Sequence, residues 1–202
     1  MDSIAHGVRE SWERIGTWLN AHVRPASAWL ASDVASLDAV EQELGLVLSE
    51  DLRTWWGLMG VSADFWLPGS FAPVGLEEAW ETREIWLLVA EQEGLGLTEK
   101  GEAEAGFLTE FMPIAMSPDG DGLVVDLRSG EWQGAVFYWD HERWGLGVPL
   151  WESVGSMLVD IADALESGTP TLMWHADLGG PENPVVATVD DSRELGWKPA
   201  WI

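Results

Sequence analysis

The stretch from Ser117 to Asp140 constrains this chain most. Its order of residues predicts a turn, a strand over 122–127, a polar connection containing Arg128, Ser129 and Gly130, and a second strand over 135–140. Both runs are rich in β-branched and aromatic residues and are bounded by Gly and Asp, the pattern of a hairpin. Alternation places Leu123 and Val125 on one face and Val124 and Asp126 on the other, which predicts one buried face and one partly wet face. The hairpin is therefore expected at the centre of an antiparallel sheet.

The segments before it read as helices. Val8, Trp12, Ile15 and Leu19 recur at helical spacing within 7–22, and Pro25 limits that helix. A second helix is expected after Ser36, with Leu37, Val40 and Leu44 on one stripe and Gly45 as its stop; a third follows Ser49, with Glu50 and Asp51 in its first turn and Leu52, Trp55, Trp56 and Met59 as apolar positions. Residues 61–75, with Phe65, Trp66 and Phe71, read as a packed loop with a short strand near 71–74. A long helix is predicted over 76–92, where acids interleave with Trp80, Trp86, Leu87 and Leu88. Residues 94–106 then lose periodicity and read as an inserted loop.

A short strand is expected over 111–115, leading into the hairpin. A closing helix over 151–167 carries Val154, Leu158, Ile161 and Leu165 on one stripe and ends at Gly168. The rest, 169–202, is punctuated by Pro and Gly and reads as an appended extension with one or two short strands, at 171–174 and 185–189. The expected fold class is α+β: a single domain over 1–168 with a mainly antiparallel sheet flanked by helices.

Charge narrows the partners. In 202 residues there are 35 acidic side chains against 10 Lys and Arg, a formal net charge of -25. Residues 36–110 hold sixteen acids against Arg53, Arg83 and Lys100, a difference of -13. Such a surface repels phosphate backbones, so no nucleic-acid partner is expected, and it steers a basic protein instead. The competing reading is acidity that only maintains solubility. No apolar run approaches the roughly 18 residues of a membrane helix and no secretory leader pattern opens the sequence, so a cytoplasmic protein with no membrane partner is expected. With no cysteine, disulfides and thiolate chemistry are excluded.

Little in the sequence points to catalysis. Asp119, Asp121 and Asp126 invite a cation, yet a calcium loop starting at Asp119 would need Asp or Asn at 123 and Glu at 130, where Leu123 and Gly130 stand. Turn formation explains the first two more simply, and Asp126 is expected to satisfy backbone donors beside the hairpin connection. His6, His22, His141 and His175 lack a zinc spacing, and neither a nucleophile elbow nor a phosphate loop occurs. No enzyme activity, metal or cofactor is expected.

The 15 tryptophans divide. Trp12, Trp55, Trp80 and Trp151 lie beside helical apolar stripes and read as core, whereas Trp66, Trp132, Trp144, Trp174 and Trp201 lie in predicted loops or near the terminus, where an exposed indole serves as an interface anchor or a sugar platform. Charge density places the partner surface on Glu77, Glu81 and Glu84, on the loop acids Glu99, Glu102 and Glu104, and on a hairpin rim of Trp132, Asp140 and Glu142.

The run Leu48-Ser49-Glu50-Asp51-Leu52-Arg53-Thr54-Trp55-Trp56 before Gly60, the Pro113-Ile114-Ala115 strand, Gly120-Asp121-Gly122 leading into Leu123 to Leu127, Gly134 to Asp140, and the closing helix together resemble the SUKH superfamily over about 36–167. That group includes Smi/Knr-type regulators of fungal cell-wall synthesis and bacterial immunity proteins of polymorphic toxin systems. Met59-Gly60 departs from the Asn-Gly often found there. The resemblance implies a compact α+β fold and a binding role in place of catalysis, most directly neutralisation of a cognate, basic, nuclease-type toxin. A regulatory scaffold of cell-wall synthesis and a Trp-lined carbohydrate-binding module are the alternatives.

Overall fold

The computed structural model describes residues 2–23, 34–58, 66–95, 106–171 and 184–200. Five helices and seven strands follow one another as α1 (Asp2–His22), α2 (Val34–Leu44), α3 (Glu50–Leu58), β1 (Ala72–Pro73), α4 (Leu76–Gln92), β2 (Phe111–Met116), β3 (Gly122–Asp126), β4 (Val136–Asp140), β5 (Gly145–Trp151), α5 (Val154–Ser167), β6 (Val185–Val189) and β7 (Leu195–Pro199). The first five strands form one antiparallel sheet in chain order, and β6 and β7 form a separate hairpin. The hairpin of β3 and β4 lies at the sheet's centre as expected, with Leu123 opposite Tyr138 and Val124 opposite Phe137.

Both faces of that sheet are covered, which corrects the expectation of one wet face. Leu123, Val125, Val136 and Tyr138 point into the main core with Val8 and Ile15 of α1, Leu52, Trp55 and Trp56 of α3, and Met157, Leu158 and Ile161 of α5. On the opposite face Val124, Phe111 and Trp139 pack with Trp86 of α4 and with Phe107 and Leu108. Four of the six buried members of the second cluster are aromatic: Phe107 stands edge-on to Trp86, Phe111 and Trp139 at 5.0, 5.7 and 5.1 Å between centroids. Edge-to-face pairs of this kind add about 0.5–1.5 kcal/mol each beyond area burial. A bulge in β2 between Pro113 and Ala115 keeps Ile114 and Ala115 both in the main core while Phe111 reaches the other.

Local chemistry sets the ends of the elements. Gly45 and Gly168 adopt left-handed backbone, φ 64° and 67°, and stop α2 and α5 as their positions predicted. Helix α5 begins at Val154, not Trp151: Trp151 ends β5, and Ser153 and Ser156 form a reciprocal capping box. The buried Asp51 carboxylate also accepts the Gly155 amide at 3.1 Å, so the start of α3 caps the start of α5. Helix α2 starts two residues before Ser36, at Val34.

The segment after Gly168 is less detachable than an appendage. Val185 is fully buried in the main core, with Ala187, Leu195 and Trp197 packed against it, and the Trp197 indole donates to the Trp66 carbonyl at 3.1 Å. The Arg193 guanidinium donates to the carbonyls of Ala21, His22 and Val23, the unsatisfied acceptors at the end of α1. Thr171 contributes one bridge to Val185; the remainder of the strand expected over 171–174 lies outside the described residues. No helix among the described residues is long and apolar enough to cross a membrane.

Candidate functional site

The acids expected at the partner surface separate once placed. On α4, Glu77, Glu81 and Glu84 are all exposed. Their spacing of four and three residues puts them on one stripe, and Leu88 and Glu91 continue it with Ile85 on its flank. Leu88 is 53% and Ile85 59% exposed, so the outward face of α4 presents two large aliphatic side chains among carboxylates. The same helix buries Leu76, Ala79, Arg83, Trp86 and Ala90 on its inner side. Glu78, also exposed, is raised above the ordinary carboxylate value by burial of its carboxyl and by the charge of Glu81.

The hairpin rim is two places. Trp132 lies in the connection between β3 and β4, whereas Asp140 ends β4 and Glu142 follows in the turn to β5. Strand β4 runs between them, which at about 3.4 Å per residue puts roughly 15 Å between the two ends. Trp132 is exposed at 45%. Asp140 serves the turn: its carboxylate accepts the amides of Glu142 and Arg143 at 3.0 and 2.9 Å. Glu142 is exposed. Glu99, Glu102 and Glu104 lie outside the described residues, as do Met59-Gly60, Trp174 and Trp201.

The aspartates of the signature stretch are structural. Tyr138 donates its hydroxyl to Asp121, and His141 reaches the same carboxylate through its backbone amide at 3.2 Å and its ring Nδ1 at 2.8 Å. Burial pushes the Asp121 carboxyl up, but these hydrogen bonds and the His141 charge outweigh it and hold it below its ordinary value. Asp126, only 1% exposed, accepts the Arg128 amide at 2.9 Å and a two-pronged contact from the Arg128 guanidinium, which lies 4.9 Å over the Phe111 ring. A buried carboxylate without such partners would be costly, which accounts for Arg128 two residues on. Asp126 thus takes a backbone donor beside the hairpin connection, as its position implied. Asp121 and Asp126 flank opposite ends of β3, and no group of three metal-ligating side chains occurs among the described residues.

Tryptophan placement corrects one expectation. Trp55 and Trp151 are buried and Trp12 and Trp80 pack against the main core, as helical stripes predicted for all but the strand residue Trp151. Trp66 is also core, 3% exposed, with its ring 5.7 Å from Trp12 and 6.5 Å from Trp55. Trp144 is half-buried, edge-on to Trp139. Among the described tryptophans Trp132 alone is exposed.

A feature missed in the sequence is a groove of about 270 Å³ between the end of α2 and the start of β2, lined by Glu43, Leu44, Leu46, Arg83, Thr109 and Glu110. Arg83 is 5% exposed; it donates to the Thr109 carbonyl through Nε and a terminal nitrogen, pairs with Glu84, and lies 4.7 Å over the Trp80 ring. Burial lowers its guanidinium from its ordinary value, against the pull of Glu84, Glu110 and Glu43. An arginine inside an acidic helical stripe was the available signal, but only the fold brings α2 and the 109–110 backbone to it.

A central antiparallel sheet with helices on both faces and an acidic outward helix define the class, an acidic α+β domain. The SMI1 / KNR4 family (SUKH-1) matches residues 32–160, more than half of the chain, and the chain belongs to that family. No curated protein matches it.

Proposed function

We propose that this chain is a non-catalytic protein-binding domain that neutralises a basic toxin, most directly a nuclease, in the manner of the immunity proteins of its superfamily. The observation that carries the reading is the outward face of α4, where Ile85 and Leu88 stand exposed among Glu77, Glu81, Glu84 and Glu91. An interface needs an apolar centre with a polar rim, and here the rim is of one sign. A nuclease handles phosphates and presents the opposite sign, so the acidic face takes the place of the nucleic acid.

The test has two parts. The tagged protein is incubated with lysate of its own source, the protein eluting as salt rises is identified, and its nuclease activity is measured with and without the purified chain. A basic enzyme inhibited at equimolar ratio is expected; capture of wall-synthesis proteins whose activity is unaffected by salt would overturn the reading in favour of a scaffold. With the partner in hand, replacing Glu77, Glu81 and Glu91 by Lys is expected to slow association at least tenfold and to flatten its salt dependence. An unchanged rate would remove α4 from the interface.

A further inference from the structure

We propose that the groove between α2 and β2 is an anchoring pocket for the partner and takes the side chain of one of its lysines, the stem along Leu44 and Leu46 and the ammonium between Glu43 and Glu110. The proposal rests on the reading of a basic protein partner and adds which residue type is gripped and where.

Three observations converge on it. The first is size: about 270 Å³ is just under the roughly 300–1,000 Å³ of cofactor and drug-sized sites and suits one long side chain. The second is the construction of the wall. Left-handed Gly45 ends α2, the Leu46 amide returns to the Glu41 carbonyl at 3.3 Å, and the Glu41 carboxylate holds both the Leu48 amide, at 2.8 Å, and Arg53, at 2.6 Å. Leu44 and Leu46 are therefore fixed before any ligand arrives, and Val47 beside them is 81% exposed. A preformed apolar wall spares the ordering cost of binding.

The third is charge. Arg83, which lines the groove, is already engaged with Glu84 and the Thr109 carbonyl, and Arg128, on which Glu110 also acts, is engaged with Asp126. Glu110 acts on both arginines and Glu43 on Arg83, yet neither forms an ion pair with them. Among the described residues that line the groove, Arg83, already paired with Glu84, stands beside the carboxylates of Glu43 and Glu110, an excess of negative charge at the mouth of a leucine-walled slot. An anion is repelled, and an uncharged aliphatic chain leaves that excess unanswered. Lysine supplies a flexible four-carbon stem and a compact charge, whereas the planar fork of arginine would find its carboxylates on separate elements.

The probe needs no toxin. The ¹⁵N-labelled protein is titrated with three capped tripeptides, Gly-Lys-Gly, Gly-acetyllysine-Gly and Gly-norleucine-Gly, at constant low salt. The lysine peptide is expected to move the amides of Leu44, Leu46, Thr109 and Glu110 along one saturating curve, with the other two peptides at least fivefold weaker. The double variant Glu43→Gln, Glu110→Gln is expected to weaken the lysine peptide about fivefold or more, as loss of two partly exposed charge contacts implies. Replacement of Glu77 and Glu81 by Gln is expected to leave the curve in place. Equal shifts for all three peptides, shifts spread over every acidic segment without saturation, or an unchanged curve in the double variant would each overturn the pocket while leaving toxin neutralisation standing. Saturable lysine binding together with a failed neutralisation assay supports the pocket and removes only the toxin reading.

Discussion

Helices α4 and α5 carry comparable numbers of apolar residues and are used in opposite ways. Helix α5 puts Val154, Met157, Leu158, Ile161 and Leu165 on one stripe and buries all of them. Its start is fixed by the Ser153 capping box and the Asp51 carboxylate, and its end by Gly168. Helix α4 divides its apolar residues, Trp86 going inward and Ile85 and Leu88 outward, and its N-cap residue, Gly75, has no side chain to cap with. Apart from Val159, 43% exposed, α5 turns its large apolar residues to the core. Helix α4 holds the fold with one face and leaves a second, acidic and aliphatic face exposed, and the proposed partner surface rests on that division.

Truncating the two helices should break them apart. Ile161→Ala removes a fully buried side chain and is expected to destabilise the protein by about 2–5 kcal/mol, read from the urea midpoint. The inner face of α4 is tested next by Gly122→Ala, because a Cβ there would stand 2.7 Å from the Trp86 ring. Overpacking of that kind costs about 1–3 kcal/mol, and a hydrogen-exchange map should show the loss concentrated in α4 and the second aromatic cluster.

The helices also respond to acid in opposite directions. Hydrogen bonds from Arg14 hold Glu166 of α5 below its ordinary value, so its contribution is present at neutral pH and fades as pH falls through that lowered value. Glu78 of α4 is raised, so its charged form opposes folding at neutral pH; the penalty begins to fade as pH falls through the raised value and is gone only below the ordinary carboxylate value. Glu78→Gln is therefore expected to raise stability at pH 7, by no more than about 0.5 kcal/mol, and to do nothing at a pH near 3.5. A gain of equal size at both pH values would mean that charge is not the cause. The smallest effect is expected from Leu88→Ala, within about 0.5 kcal/mol of the parent in stability, with partner affinity as the quantity that falls.

The same contrast explains what could be read before the fold was known. A helical stripe made α5 legible, and α1, α2 and α3 likewise; α4 was legible from acids interleaved with Trp80, Trp86, Leu87 and Leu88, and short apolar runs between Gly, Pro and Asp gave β2, β3, β4 and β6. Strand β5 escaped because Gly145, Gly147 and Pro149 read as a loop; an edge strand tolerates them, since its outer side has no ladder to break. Strand β7 escaped for a related reason, Gly196 and Pro199, although Asp190 accepting the amides of Ser192 and Glu194 marks the turn before it. Trp66 was legible as a loop residue but not as core, because only the approach of Trp12 and Trp55 encloses it. At the candidate site, acidity was plain in the composition. Its sorting into a stripe on α4, a turn acceptor at Asp140 and a leucine-walled groove depended on contacts between distant segments.

Arg193 has a consequence for the order of events during synthesis. Helix α1 leaves the ribosome well before its partner: the carbonyls at its end are met by a side chain about 170 positions later in the chain. Its long salt link, Arg14 to Asp163 and Glu166, is almost as late. At about 5–20 residues per second the nascent helix waits roughly ten to thirty seconds for its partners. Through that interval its stripe of Val8, Trp12 and Ile15 can lean on α3 and Trp66 but not yet on α5, and the carbonyls at its end have only water as a partner.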